Sequence, residues 1–237
     1  MESDLLIGRV QWEGGTVQRI PEPELMDDDA QARAYAEADF AEPHDRFVAL
    51  LGDRFPDLPA RGVALDLGCG PADVTLRFAR AFPGWTIDGL DASPAMLRYG
   101  HAAVERAGLG RRVSLLQAYL PDGAAPRPPY DLVFSNSLLH HLHDPLTLWQ
   151  CTQRWVRPGG VVFVMDLMRP ATRATARRLV DLYAAGESDI LQRDFFNSLL
   201  AAYEVSEVKT QLAAANVTHL QVEAASDRHL IAWGCSG

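Results

Sequence analysis

From Gly62 onward, short apolar runs of strand length alternate with stretches of helical periodicity, and this alternation requires a parallel sheet wrapped by helices. The first run, residues 63–67, is apolar on both faces, as a strand buried between two helix layers must be. A turn, Gly68-Cys69-Gly70-Pro71-Ala72-Asp73, follows it. Val74, Phe78, Ala81 and Phe82 then share one face of a helix ending at Pro83-Gly84. Residues 86–90 form a second strand that stops at Asp91, after which Ser93 caps a helix with Pro94 at its first position and Gly108 just past its end.

Residues 113–117 and 130–135 give the third and fourth strands. Asp144-Pro145 starts a helix that should stop at Pro158-Gly159-Gly160, and residues 161–165 form the fifth strand. Helical stretches near 172–185, 190–202 and 206–215 precede two closing strands, 218–223 and 229–233, which read as an antiparallel hairpin at one sheet edge. Ahead of the sheet, Asp27-Asp28-Asp29 caps an Ala-rich helix reaching Tyr35 and Phe40, and Phe47, Val48, Leu51 and Phe55 mark a second helix.

Composition removes several classes of partner. A formal net charge of −9 repels a phosphate backbone, so nucleic acid is not expected, whereas a small-molecule substrate is. The basic stretch Arg169, Arg173, Arg177 and Arg178 reads as a solvated helix face. Cys69, Cys151 and Cys235 form no CxxC pair and leave an odd count, which argues against a disulfide framework and a zinc site; no metal is expected, and a reducing cytoplasm is the natural compartment. Residues 1–10 carry Glu2 and Asp4 and show no leader pattern, no apolar run reaches membrane-span length, and a homodimer stays open.

In an open α/β sheet, ligands bind beyond the carboxyl ends of the strands, where Asp66, Gly68, Gly70 and Asp91 all fall. Glycine at 68 and 70 permits positive φ and a close approach of backbone to ligand. Asp91, at the end of the next strand, can accept both hydroxyls of a ribose. A GxG pair with a distant carboxylate suits a nicotinamide dinucleotide as well as an adenosyl cofactor. A dinucleotide fingerprint, however, wants a third glycine where Asp73 stands, and a carboxylate there repels a pyrophosphate.

Ala64-Leu65-Asp66-Leu67-Gly68-Cys69-Gly70-Pro71 resembles the first motif of class I S-adenosylmethionine-dependent methyltransferases, and Leu90-Asp91-Ala92-Ser93-Pro94-Ala95-Met96-Leu97 resembles their second. Asn136-Ser137-Leu138-Leu139-His140-His141-Leu142 is similar to the segment after their fourth strand, and Arg157-Pro158-Gly159-Gly160 to the turn before their fifth. Within the family the likeness is to the ubiquinone and menaquinone biosynthesis group. Two departures stand out: Ala72 replaces the third glycine, and the acidic residue usual after the third strand is replaced near Ala118-Tyr119.

The resemblance implies a Rossmann-like α/β fold. Its seven-stranded sheet is mostly parallel with an antiparallel C-terminal strand. A helical cap covers residues 1–60, a methyltransferase domain covers 61–237, and a helical substrate lid lies at about 168–204. It implies S-adenosyl-L-methionine as cofactor and in-line methyl transfer to a small-molecule nucleophile. Asp66 and Gly68 would then lie near the cofactor's amino-acid end, Asp91 at the ribose, and Asn136 with the cap residue Tyr35 at the methionine end. Cys69, Gly70, Ala92, Met96, Ala118 and Tyr119 complete the contacts, with Tyr119 a candidate to stack on or edge the adenine.

His140 and His141 are the catalytic candidates, able to act as a base near neutral pH, with helix-start packing as the plainer reading. Asp66 as a turn cap, Cys69 as a small buried residue and Tyr35 as core are the corresponding plainer readings. Arg193 can pair an anionic substrate or Asp194. Three other functions stay open: a transferase or synthase using a carboxymethyl-bearing adenosyl cofactor, a nicotinamide-dependent oxidoreductase, and cofactor binding without catalysis.

Overall fold

A computed structural model describes residues 17–23, 25 and 27–237. Helices α1 (Asp29–Glu37) and α2 (Ala41–Arg54) lead into β1 (Gly62–Leu67), α3 (Asp73–Ala81), β2 (Trp85–Asp91), α4 (Pro94–Arg106), β3 (Val113–Gln117) and β4 (Tyr130–Asn136). A one-turn 3-10 helix, Leu139–His141, precedes α5 (Leu146–Trp155) and β5 (Val156–Leu167). The chain closes with α6 (Arg173–Tyr183), α7 (Asp189–Ala201), α8 (Val205–Ala214), β6 (Gln221–Ala224) and β7 (His229–Cys235).

The strands make one seven-stranded sheet in the order β3-β2-β1-β4-β5-β7-β6. β1 to β5 pair in parallel, while β7 runs antiparallel to both β5 and β6. The Rossmann-like sheet expected from the sequence is therefore present, with β7 the one strand running against the other six. Strand order reverses between β1 and β4, where Leu67 lies beside Ser135, so the turn after β1 and the segment after β4 leave the sheet side by side.

Alternation along the strands feeds two apolar layers. Leu65, Leu67, Val133, Val162 and Val164 face Trp149, Leu148 and Leu212 of α5 and α8. On the opposite face, Ala64, Ile87, Leu132 and Phe163 meet Phe78 of α3 together with Phe47 and Leu51 of α2. Phe47 is fully buried, with its ring 5.7 Å from Phe134 and 5.0 Å from Phe163, so α2 belongs to a core layer as well as leading toward α3.

Local chemistry sets the helix starts. The Asp28 carboxylate accepts the Gln31 N–H at α1, and the Ser93 hydroxyl accepts the Met96 N–H at α4, with Pro94 at the first helical position. The structure differs from expectation after α5, which ends at Trp155 rather than at Pro158. Val156 already pairs with Tyr130, and Arg157 Nε donates to Asp131 on β4 at 2.7 Å, so the Pro-Gly-Gly segment becomes an irregularity within β5.

The basic stretch differs at one residue. Arg169 is buried, donating to the Ala202 carbonyl and to Glu207, while Arg173 and Arg177 lie over the Phe196 ring. Arg169 alone departs from the solvated helix face; Arg173, Arg177 and Arg178 are exposed on α6, two of them against an aromatic ring. Among the described residues no helix is long and apolar enough to cross a membrane. The leader reading of residues 1–10, and the first part of the expected cap, lie outside the described residues. Phe47→Ala is expected to lower unfolding free energy by about 3–5 kcal/mol, measured by urea denaturation, because the surrounding aromatic cluster cannot collapse into the space left.

Candidate active site

At the carboxyl ends of β1, β2 and β4 lies a cavity of about 1100 Å³, lined by every cofactor and catalytic candidate from the sequence but not by Arg193. Asp66, Gly68, Cys69 and Gly70 come from the β1–α3 turn, Asp91, Ala92 and Met96 from the β2–α4 connection, and Ala118 and Tyr119 from the segment after β3. Asn136, His140 and His141 come from the β4–α5 connection, and Tyr35 from α1.

The turn is held open by its backbone. Gly68 and Gly70 adopt φ of 72° and 50°, a region costly for residues with a Cβ. A Cβ on Gly70 would enter open space in the cavity, whereas one on Gly68 would strike the Leu138 side chain at 2.9 Å. Glycine at 68 thus answers a packing constraint from the β4 side, and glycine at 70 keeps backbone available to a ligand. Ala72, in place of a third glycine, also takes a left-handed φ of 69°.

Asp91 joins the turn to the next helix. Its carboxylate accepts the Gly70 N–H and the Ser93 N–H, each at 2.8 Å. Burial raises its pKa, and the Ser93, Gly70 and Ala92 N–H groups oppose that rise. Each carboxylate oxygen keeps a second lone pair for a ligand hydroxyl. Asp66 is buried and accepts the Thr75 hydroxyl at 2.5 Å, and burial pushes its pKa up to about 7. Burial likewise raises the Cys69 thiol well above its ordinary value, which leaves it a poor nucleophile.

Asp73 lines the same cavity, but its carboxylate is engaged within the protein. Its carboxylate is bound by His44 at 2.6 Å and Arg77 at 2.9 Å; burial alone would raise its pKa, but these bonds outweigh it and hold it low. This pairing ties α2 to α3. Tyr119 stays 55% exposed at the rim, where an adenine face could lie against it. Asp66 stands at the glycine turn, a poor setting for a pyrophosphate but compatible with a phosphate-free nucleoside carrying a cationic sulfur and an ammonium, while Asp91 is placed for a ribose. The residues present fit the adenosyl cofactor.

Behind the far end of the cavity, where His140, His141 and Ser198 form the lining, sit carboxylates that no sequence motif announced. Asp166, at the end of β5, accepts the Leu139 N–H at 2.7 Å and lies 2.6 Å from His140 Nδ1, fixing the 3-10 turn and the ring together. Glu22 lies 3.5 Å from His140 Nε2 and 3.4 Å from His141 Nδ1, and accepts the Ser198 hydroxyl at 2.9 Å. Burial lowers the His140 pKa, but Asp166 and Glu22 outweigh it and the net shift is upward. Burial, reinforced by His140, holds His141 well below its ordinary value, with the Pro23 carbonyl opposing. Burial raises Glu22, against His140 and Ser198.

Arg193 pairs with Asp194, whose other oxygen takes Gln31 of α1 at 2.7 Å. Tyr35 is raised by burial and by Asp194 and Glu22, which places its ring near this acidic end. Arg19 donates to the carbonyls of Ala201, His140 and Leu142, bracing the turn that carries the histidines.

Comparison with known proteins agrees with this geometry. The methyltransferase-domain family profile matches residues 65–162. Trans-aconitate 2-methyltransferase of Delftia acidovorans is 31% identical over 193 residues, covering 76% of this chain and 69% of that protein. The enzyme of the same name from Methylobacterium radiotolerans is 36% identical over 139 residues, covering 56% of this chain and 50% of the relative, so the chain matches about half of that protein's length. A S-adenosylmethionine-dependent methyltransferase structure from Aquifex aeolicus superposes with a TM-score of 0.63 at 16% identity, covering 89% of this chain and 99% of that one, a likeness of fold. The chain belongs to the class I S-adenosylmethionine-dependent methyltransferases.

Asp66 gives a pH test of the site. Its folded pKa stands above that of an unfolded aspartate, so the folded state binds the proton more tightly, and stability falls as pH rises toward and through about 7. Asp66→Asn removes this dependence. Urea unfolding of the ligand-free chain is expected to show Asp66→Asn gaining about 2 kcal/mol relative to the parent between pH 5.5 and pH 8. Parallel pH profiles for the two proteins would contradict the assignment.

Proposed function

We propose that this chain transfers the methyl group of S-adenosyl-L-methionine to a small-molecule nucleophile, a carboxylic acid by analogy with relatives named for trans-aconitate. The observation that carries the reading is one cavity with a glycine turn between two carboxylates at one end and an Asp166-oriented histidine pair at the other. Three free cysteines without a disulfide suit a reducing, cytoplasmic compartment.

Asp91 would hold the ribose, Asp66 and the Gly68–Gly70 backbone the amino-acid end, and Asn136 with Tyr35 the region of the sulfur. Bound there, the cofactor supplies a sulfonium whose methyl carbon is already electrophilic. The protein's task is to align the acceptor behind that carbon and to exclude water, and positioning of this kind contributes on the order of 7–11 kcal/mol in well-oriented cases. His140 and His141 face the acceptor's side of the cavity, and Asp166 fixes the His140 ring so that Nε2 is the nitrogen presented inward. We assign α6 and α7 the role of substrate lid, since Leu191, Phe195 and Ser198 of α7 line the same cavity.

Asp91→Ala is expected to weaken S-adenosylhomocysteine binding by about 100-fold in calorimetry, through loss of charge-assisted bonds to the sugar, while unfolding remains a single cooperative transition. Unchanged affinity would remove the ribose assignment. With methyl-labelled S-adenosylmethionine and trans-aconitate or related acids as acceptors, His140→Ala and His141→Ala are expected to lose roughly 100-fold or more in kcat while keeping cofactor affinity. Full turnover in both variants would separate the histidines from the chemistry.

A further inference from the structure

The acceptor end of the cavity is electrostatically incomplete. Asp166 takes the His140 Nδ1 side, which leaves Nε2 facing Glu22 Oε1 at 3.5 Å. His141 Nδ1 lies 3.4 Å from the same carboxylate oxygen, is buried, and has no hydrogen-bond partner. Both separations exceed the normal N–H···O range of about 2.7–3.2 Å. With nothing between them, two imidazole nitrogens and a carboxylate oxygen converge without bonding, an arrangement that costs free energy in a buried place.

The same distances suit three donors around one cation. Nitrogen and oxygen ligands at about 2.0–2.1 Å in a tetrahedral shell lie about 3.3–3.4 Å apart. The three donor atoms of Glu22, His140 and His141 all lie within 4.8 Å of one another. The surroundings are those of a metal site: Asp166 holds the outer nitrogen of His140, and the Ser198 hydroxyl holds Glu22. Local charge agrees. Three carboxylates, Glu22, Asp166 and Asp194, meet here, while Arg193 is engaged with Asp194 and Arg19 with backbone carbonyls. Buried carboxylates set behind a wall lined by His140, His141 and Ser198 would disfavour a carboxylate acceptor there unless a dication stood between them.

We propose that Glu22, His140 and His141 bind one divalent transition-metal cation, whose remaining coordination positions open to the cavity and take an anionic oxygen of the methyl acceptor. Two nitrogens and one oxygen favour zinc, iron, cobalt or manganese over magnesium or calcium. The cysteine count bears only on thiolate sites and is silent about this one. The proposal rests on the methyltransferase reading for its choice of acceptor, not for its ligands.

The test uses the full chain, stripped of metal with a chelator and titrated with Co²⁺ and then Zn²⁺. One Co²⁺ per chain is expected, with the visible ligand-field absorption of low-coordinate cobalt, displaced stoichiometrically by Zn²⁺. Glu22→Gln, which keeps the size of the side chain, and His141→Ala are expected to lose that absorption, and Asp166→Asn to weaken Co²⁺ binding about 10- to 100-fold. S-adenosylhomocysteine affinity, measured on the same samples, should stay at the parent value and shows that the variants are folded. No Co²⁺ spectrum in the parent chain, or an unchanged spectrum in Glu22→Gln and His141→Ala, would overturn the site. Failure of the parent chain to bind S-adenosylhomocysteine would instead overturn the methyltransferase reading, with the cobalt result standing independently.

Discussion

The Asp91 carboxylate is the joint on which the cofactor end of the site depends. One of its oxygens holds the Gly70 N–H and the other the Ser93 N–H, so a single side chain fixes the turn after β1 and the start of α4 relative to each other. It can do so because β1 and β2 are parallel neighbours in register, Leu67 opposite Leu90, which brings both strand ends to one edge of the sheet. The sheet supplies the alignment, and the carboxylate converts it into a rigid ligand cradle. Gly68 and Cys69 strengthen the arrangement by donating their N–H groups to the Leu90 carbonyl.

Much of this was legible in the sequence for physical reasons. Residues 63–67 could be read as a buried strand because they are apolar on both faces, and Ser93-Pro94 announced a helix start by its hydrogen-bonding chemistry. Glycines at 68 and 70 followed from the turn, although Leu138, which makes glycine obligatory at 68, comes from a strand connection far along the chain. Asp73 was readable only as an objection to a pyrophosphate. Its actual partners, His44 and Arg77, required knowing that α2 packs on α3.

The acceptor end was far less legible. His140 and His141 stood out as a pair, but Glu22 sits in a Pro-Glu-Pro segment with no periodicity, and the separation of 118 or more positions hides its approach to them. Asp166 read as the last residue of a strand, and only the parallel pairing of β4 with β5 carries it beneath the 3-10 turn. Arg169 misled the reading in the opposite sense. A basic run suggests solvent, yet its guanidinium is buried among the Ala202 carbonyl, Glu204 and Glu207.

The central claim is that the glycine turn, with Asp66 beside it and Asp91 at the next strand end, holds a phosphate-free adenosyl ligand. It is tested most directly by titrating the unmodified chain with S-adenosylhomocysteine and with NAD⁺ side by side in a calorimeter. Saturable one-to-one binding of the first and no measurable heat from the second is the expected result. Binding of NAD⁺ as tight as that of S-adenosylhomocysteine would mean that the turn beside Asp66 tolerates a pyrophosphate and would contradict the account.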